Sequence, residues 1–369
     1  MSFLVWGVAP ADTLTTGQQA SNPSATTGEH IALILPTASP SYGDSATAVR
    51  EGFMAGYLAD DGARRVPPVF FYPTDGNPAL TLPTYQKAIN EGAHLIIGPL
   101  TRDSVTVLSN SHSISIPTLV LNRSESDTSS QLYAFGMQSE DEIHQVAQML
   151  RNKGIHNIAI VTTLSSFFVR LADLLAEEWR GTTEVVTKNL RVSTEPEELA
   201  KAHSIFPLTG IDAIFLSADA HDACLIRPFL GTGLPVYTTS HAYEGVHADS
   251  RCLDMQGVHF LEMPYVLNTS RDSTGEEPSA QHQRFYALGL DAFLLADKLL
   301  HDSLDDAQNL AGATGTISHF GNIFFHELVP AEFGKDGEAH HWASNHLDSV
   351  ASDQGRVEGA DPAPVEEAE

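Results

Sequence analysis

Short apolar runs alternate with amphipathic stretches along most of the chain, and each run is as long as a single buried strand. The first block of this pattern predicts strands at Ile31–Leu35, Val69–Tyr72, Leu95–Ile97 and Pro117–Leu121. It also predicts helices at Ala46–Ala59, Leu82–Gly92 and Ser104–Asn110. Repeated strand–helix units build a parallel sheet covered by helices, so the predicted fold class is α/β.

A second block repeats the alternation. Its predicted strands are Ile158–Val161, Val185–Leu190, Ala213–Ser217 and Pro235–Thr238. Its predicted helices are Glu140–Lys153, Phe167–Trp179, Glu195–Ile205 and Asp222–Leu230. The last third predicts a strand at Val258–Met263, a long helix at Arg284–Leu300 and a β-hairpin that turns near Phe320 and Gly321. This return of the chain indicates two Rossmann-like lobes with parallel sheets, joined by several hinge crossings.

The pattern divides the chain into two lobes and two flanking segments. Residues 30–136 and about 265–310 are assigned to an N-terminal lobe, and residues 137–264 and about 311–335 to a C-terminal lobe. Residues 1–29 form a truncated signal-like segment and a flexible lead-in; the apolar run there is a clipped export signal or resembles one only in composition. Residues 346–369 are acidic with scarcely any large apolar side chain, so we expect a disordered tail.

Composition excludes several classes of protein. With 369 residues, 42% of them apolar, the chain can bury a large core. Its 47 acidic and 20 basic residues give a formal charge of −27, which repels phosphate backbones, so we expect no nucleic-acid partner. No stretch approaches the roughly 20 apolar residues that span a bilayer.

Only two cysteines occur, Cys224 and Cys252, and their separation excludes a CxxC redox or zinc motif. An oxidising compartment would let them pair in a disulfide, and the alternative is two buried, unpaired thiols. The sequence leaves both open.

Strong catalytic motifs are absent from the sequence. It contains no G-x-S-x-G elbow, H-E-x-x-H, P-loop or G-x-G-x-x-G pattern. His326, His340, His341 and His346 match no standard zinc-ligand spacing, so we expect neither a metal nor a cofactor. These observations favour a protein that is not an enzyme.

Polar residues follow several predicted strands, where open α/β sheets place their ligand crevice. Hydroxyls, backbone N–H groups and the Arg102 guanidinium there would suit a carboxylate or another anion. The alternative is that the hydroxyls only cap helices and form turns. The ligand-cleft candidates are Thr37, Ser41, Tyr42, Thr101, Arg102, Asn122, Thr163 and Asp219.

Several segments in order carry a family resemblance. The early ones are I-A-L-I-L-P at 31–36, L-I-I-G-P-L at 95–100 and I-P-T-L-V-L-N at 116–122. The later ones are Tyr133–Glu142, Gly257–Pro264, Arg284–Phe293 and Gly312–Ile317. Together they resemble the type I periplasmic-binding-protein fold and, within it, the C-terminal domain of LpoA-type penicillin-binding-protein activators.

The resemblance implies a non-enzymatic envelope protein that binds a class A penicillin-binding protein and stimulates peptidoglycan synthesis. It implies a periplasmic location. The longer family members carry a helical-repeat N-terminal domain, for which there is no room ahead of Ile31, and a lipidated cysteine, which this sequence lacks. We therefore expect outer-membrane association only if the true N-terminus carries such a cysteine. The alternative function is a periplasmic solute-binding protein that supplies an ABC transporter with an amino-acid-like ligand held in the cleft.

Overall fold

The computed structural model of the protein describes residues 28–60, 66–111, 113–124, 129–179, 185–202, 209–245, 250–268, 278–301 and 309–342. The signal-like segment, the lead-in up to residue 27 and the acidic tail at 346–369 lie outside these ranges. No helix within these ranges combines the length and the apolar composition needed to cross a membrane.

The described strands, in chain order, are β1 (His30–Leu35), β2 (Val69–Pro73), β3 (Ala93–Ile97), β4 (Thr118–Val120), β5 (Leu132–Ala134), β6 (Asn157–Thr162), β7 (Val185–Arg191), β8 (Ala213–Ser217), β9 (Val236–Thr238), β10 (His259–Glu262), β11 (Leu310–Ala311), β12 (Thr316–Phe320), β13 (Ile323–Glu327), β14 (Val329–Phe333) and β15 (Ala339–His341). The described α-helices are α1 (Gly43–Ala59), α2 (Thr81–Asn90), α3 (Arg102–Ser109), α4 (Ser139–Asn152), α5 (Ser166–Trp179), α6 (Pro196–Ala202), α7 (Ala220–Ile226), α8 (Pro264–Asn268) and α9 (Ala280–Leu300).

These strands form two sheets, one in each lobe. The first has the order β11-β12-β13-β5-β4-β3-β1-β2, and the second has the order β15-β14-β10-β9-β8-β6-β7. Most pairs are parallel, and antiparallel pairing is confined to β11–β13 in the first sheet and to β10, β14 and β15 in the second. The predicted α/β architecture of two mainly parallel lobes is confirmed.

Strand β1 shows the structural reason for the unbroken apolar runs in the sequence. All six of its residues are buried, because helices cover both faces of the first sheet. Ile31, Leu33 and Leu35 pack in the cluster that contains α1 and α9 side chains. Ala32 and Ile34 point to the opposite face and pack with side chains of α2 and α3.

The predicted hairpin at Phe320 and Gly321 is confirmed, because β12 and β13 pair antiparallel across that turn. Its assignment to the C-terminal lobe is wrong. Strand β13 pairs in parallel with β5, Ile323 opposite Ala134, and thereby extends the first sheet. The chain then enters the second sheet through β14, which pairs antiparallel with β10. The boundary in this region therefore lies between β13 and β14, at Leu328.

Three crossings join the lobes within the described part of the chain. The first leads from β5 into α4, the second connects β10 with α9, and the third is the passage from β13 to β14. Gln145 of α4 stabilises the third crossing. Its Nε2 donates to the His326 carbonyl at 3.0 Å, and its Oε1 accepts from the Leu328 N–H at 2.8 Å. The two lobes are thus tied by side chains as well as by the chain itself.

Helices α1 and α9 approach each other so closely that their backbones touch. A Cβ on Gly52 would lie 1.9 Å from the Tyr286 carbonyl oxygen, and one on Gly289 would lie 2.1 Å from that of Val49. Glycine is therefore required at both positions by space rather than by backbone conformation. This contact places α9, which carries residues of the interlobe region, firmly in the first lobe.

The two cysteines are joined in the second lobe. Cys224 of α7 and Cys252 form a disulfide, with Cα atoms 5.1 Å apart. The bond links α7 to the 3₁₀ turn at Ser250–Met255.

Candidate functional site: a cavity at the interlobe crossings

A cavity of ≈ 550 Å³ lies where the crossings meet the two lobes. The second lobe contributes the start of α5, Asp219, the segment after β9 and the end of β10. The first lobe contributes the start of α9 and His326 of β13. Its lining residues are Met137, Gln138, Ser139, Glu142, Phe167, Phe168, Asp219, Ser240, His241, Tyr243, Glu244, Glu262, Met263, Ser279, Gln281, Arg284, Phe285, His326 and Leu328.

A buried ion pair between the lobes forms one wall. Arg284 Nε donates to Glu262 Oε1 at 3.1 Å, and Nη2 donates to Oε2 at 2.5 Å. The same Nη2 donates to the carbonyl oxygens of Ser240 and Tyr243, both at 2.9 Å. Burial alone would lower the pKa of Arg284, but the Glu262 carboxylate outweighs it and raises that pKa. The guanidinium is therefore permanently charged, and it joins α9 of the first lobe to β10 of the second.

A second buried carboxyl lies beside this pair. Glu142 Oε1 accepts from the Ser240 N–H at 2.5 Å, and Oε2 accepts from the Ser240 hydroxyl at 3.0 Å. Burial raises the pKa of Glu142 to about 7, against the opposing effect of the Ser240 N–H. The negative charge of Glu262 raises it further, whereas Arg284 lowers it. Glu142 is therefore the group of this wall that changes charge near neutral pH.

Two histidines in the cavity wall are neutral at pH 7. Burial lowers the pKa of His241 to about 4, and it lowers that of His326 to about 4 as well. His241 Nε2 lies 3.1 Å from the Ser139 hydroxyl, and its ring packs against Phe167 with centroids 5.1 Å apart. His326 is 5% exposed, and its Nδ1 has no hydrogen-bond partner among the described residues.

An exposed cluster of charges also joins the lobes. Glu140 at the start of α4 accepts a hydrogen bond from Arg170 of α5, and its Oε1 lies 3.9 Å from Arg102 Nη1 on α3. Burial alone would raise the pKa of Glu140, but the two arginines lower it below its ordinary value. Arg102, one of the sequence-predicted cleft residues, thus reaches across from the first lobe to a carboxylate of the second.

Only one of the eight sequence-predicted cleft residues is among those lining this cavity. Asp219 lines it and also caps α7, where its Oδ1 accepts from the Asp222 N–H at 2.8 Å. Asn122 supports the first crossing instead: its Nδ2 donates to the Leu100 carbonyl at 3.1 Å, and its Oδ1 accepts from Gln138 Nε2 at 2.9 Å.

The remaining candidates occupy the loops after their strands, as the sequence placed them. Thr37, Ser41 and Tyr42 lie between β1 and α1, and the Tyr42 side chain is exposed. Thr101 directly precedes α3, and its buried hydroxyl has no hydrogen-bond partner among the described residues. Thr163 is buried after β6, and its hydroxyl accepts from the Ser165 N–H at 3.4 Å.

Sequence reasoning missed the residues that build the cavity wall. A signal was present for Glu262, because it interrupts the apolar run Val258–Met263 and a charge in a buried strand requires a partner. Nothing in the local pattern identified Arg284 as that partner. The pairing arises only when α9 returns to the first lobe and its N-terminal end meets β10.

The histidines considered as metal ligands are separated by the fold. His326 belongs to β13 of the first sheet, His340 and His341 belong to β15 of the second, and His346 lies outside the described residues. His340 forms part of a surface group with Asp336 and Glu338, whose ligand atoms lie within 4.8 Å of one another. His340 Nε2 is 3.0 Å from Asp336 Oδ1 in this group.

Comparison with known proteins agrees with the fold. The "penicillin-binding protein activator LpoA" of Photobacterium profundum is 23% identical over 329 residues, which cover 78% of this chain and 53% of that protein. The LpoA C-domain of Haemophilus influenzae superposes with a TM-score of 0.68 at 20% identity, covering 85% of this chain and all of that domain. A "putative branched-chain amino acid ABC transporter" of Chromobacterium violaceum gives a TM-score of 0.68 at 26% identity, covering 83% of this chain and all of that one.

The chain spans about half the length of the curated relatives it matches. The family described as "LppC putative lipoprotein" matches residues 18–210 and 207–324, which cover most of both lobes and end within β13, before the third crossing. The protein therefore belongs to the LppC family.

Proposed function

We propose that this protein is an envelope protein that binds a class A penicillin-binding protein and stimulates its synthesis of peptidoglycan, without being an enzyme itself. The observation that carries the proposal is the match to the complete LpoA C-domain of Haemophilus influenzae, which is described as a regulator of PBP1A. The family match and the activator names of the relatives point in the same direction.

The geometry supports binding through an outer surface. Seven of the eight ligand-cleft candidates are not among the cavity-lining residues, and Asn122 and Asp219 serve as structural supports. The buried Arg284–Glu262 pair and the Gln145 contacts hold the two lobes together. A partner protein would therefore meet two lobes in a defined relative position.

A periplasmic location fits the covalent chemistry of the second lobe. Disulfides persist in oxidising compartments such as the bacterial periplasm and are rare in the cytosol. The Cys224–Cys252 bond supports an exported protein for that reason.

Direct binding tests the proposal. The purified protein is immobilised, and a purified class A penicillin-binding protein from the same organism is passed over it, with a monofunctional transpeptidase as the matched control. We expect saturable binding of the class A enzyme with a Kd of about 10 µM or tighter, and none of the control. Equal binding of both enzymes, or binding of neither, contradicts the proposal.

A second candidate is a solute-binding protein for an ABC transporter. The likeness to the Chromobacterium violaceum structure and the presence of an interlobe cavity favour it. A specific metabolite at a hundredfold excess over its Kd would stabilise the protein by about 2.7 kcal/mol, which thermal unfolding detects. Loss of that stabilisation in Asp219→Asn, at the one sequence-predicted cleft residue among those lining the cavity, would favour this candidate.

A further inference from the structure

The interlobe cavity has the size and composition of a small-molecule site. Its volume of ≈ 550 Å³ is within the range of about 300–1,000 Å³ typical of such sites. Its wall combines aromatic rings with polar groups brought together from both lobes and from the crossings. A site of this composition can bury the apolar body of a ligand and orient its polar end.

The charge of the cavity wall determines whether a ligand with a cationic or an anionic group can bind there. Four carboxyl side chains line the cavity, against one guanidinium, that of Arg284; the carboxyls are Glu142, Asp219, Glu244 and Glu262. Arg284 already donates to both oxygens of Glu262 and to two backbone carbonyls. The two histidines add no positive charge at pH 7, because burial holds both in the neutral form. A ligand carboxylate would therefore meet an acidic wall.

Aromatic rings in the cavity wall also favour a cationic ligand. Phe167 and Phe168 lie edge to face at the start of α5, with centroids 5.1 Å apart, and Tyr243 and Phe285 add two more rings. The face of an aromatic ring carries partial negative charge and attracts ammonium groups. Carboxyl side chains and aromatic rings line this one cavity, a composition that suits an organic cation with an apolar body.

One buried ring nitrogen of the cavity wall is free to accept a hydrogen bond from a ligand. His326 lines the cavity and is 5% exposed, yet its Nδ1 lacks a hydrogen-bond partner among the described residues. Such groups are uncommon in folded proteins, because desolvation without a hydrogen bond costs free energy. The hydroxyls predicted to hold a carboxylate, including Thr37, Ser41 and Thr101, are not among the lining residues.

We propose that this cavity binds a small organic ammonium ion with an apolar body, and that Asp219 and Glu244 attract its charge. The inference is independent of the proposed activation of a penicillin-binding protein. The Asp219 side chain lies at the cavity wall, and its Oδ1 caps α7. Glu244 is exposed and marks the solvent side of the cavity.

Three probes that share one isobutyl body test the charge preference: 3-methylbutylammonium, leucine and 4-methylpentanoate. Binding to the full chain is measured at pH 7 by isothermal titration calorimetry. We expect the ammonium probe to bind at least about tenfold more tightly than leucine, and the carboxylate probe to bind more weakly still. Absence of binding by the ammonium probe at about 10 mM, or tighter binding of leucine or the carboxylate, overturns the proposal.

Charge-neutral variants locate the binding group. Asp219→Asn keeps a side-chain oxygen that caps a helix as well as aspartate does, so folding is unaffected. This variant and Glu244→Gln should each weaken binding of the ammonium probe about three- to tenfold. The matched control is Glu177→Gln, an exposed charge of α5 that is not a lining residue, and it should leave the affinity unchanged. Equal affinity of all three variants and the wild type overturns the assignment.

Discussion

Glu142 makes the stability of this protein depend on pH in a direction opposite to that of most carboxylates. Its pKa is raised from 4.5 to about 7 in the folded protein, chiefly by burial. Between these values the folded state holds a proton that the unfolded state has lost, so stability falls as the pH rises from about 4.5 to about 7. Each pH unit is worth about 1.4 kcal/mol, and the full effect is therefore about 3 kcal/mol.

Glu142→Gln isolates this effect, because glutamine keeps the shape of the protonated carboxyl and cannot ionise. Urea unfolding is measured for both proteins from pH 5 to pH 8. We expect a small advantage for the variant of about 1 kcal/mol at pH 5, which grows to about 3 kcal/mol at pH 8. Glu177→Gln, which removes an exposed carboxylate, should follow the wild-type curve. A constant difference between Glu142→Gln and wild type across this range would refute the reasoning.

Three further substitutions test other parts of the structure. Arg284→Met leaves the fully buried Glu262 carboxylate without its partner and should lower the free energy of unfolding in urea by about 3–5 kcal/mol. Adding Glu262→Gln should recover part of that stability. If it recovers none, the pair acts by packing alone. Gly289→Ala places a methyl group 2.1 Å from the Val49 carbonyl oxygen and should lower stability by about 1–3 kcal/mol, so an unchanged unfolding midpoint contradicts the close helix contact. Glu140→Gln removes an exposed ion pair between the lobes and should change stability by less than about 1 kcal/mol. The radius of gyration in small-angle X-ray scattering should stay unchanged, because the buried Arg284–Glu262 pair and Gln145 still join the lobes; a larger radius would contradict that account.

The local pattern was sufficient to predict the repeated units of the fold. Strand β1 was predicted at Ile31–Leu35 because burial on both faces of a parallel sheet leaves an unbroken apolar run. The hairpin was predicted from its turn at Gly321, which takes a φ of +58°. Both features depend on residues close together in the sequence.

The lobe boundary could not be predicted because it depends on strand pairing over a long distance. Strand β13 joins the first sheet by pairing with Ala134 of β5, which lies far away in the sequence. No residue of the hairpin indicates that pairing. Strand β5 escaped prediction for a related reason, since three residues are too few to show a period.

The sequence prediction missed most of the cavity wall because it relied on a general rule about where ligands bind in open α/β sheets. Strand-end loops are where ligands gather in open α/β sheets, and Asp219 is a lining residue that this rule found. The buried wall, however, is made by Glu142, Glu262 and Arg284, which meet only where the chain crosses between lobes. Buried charge in an apolar run is the one sequence signal that would have drawn attention to Glu262.

The proposed function of this protein is to activate a class A penicillin-binding protein. Its most direct test is the rate of glycan polymerisation and peptide crosslinking by the purified enzyme on lipid-linked precursor, measured as this protein is added. The account predicts a saturable increase in rate, together with no synthesis by this protein alone. An enzyme rate that stays unchanged up to saturating concentrations of the folded protein would contradict it.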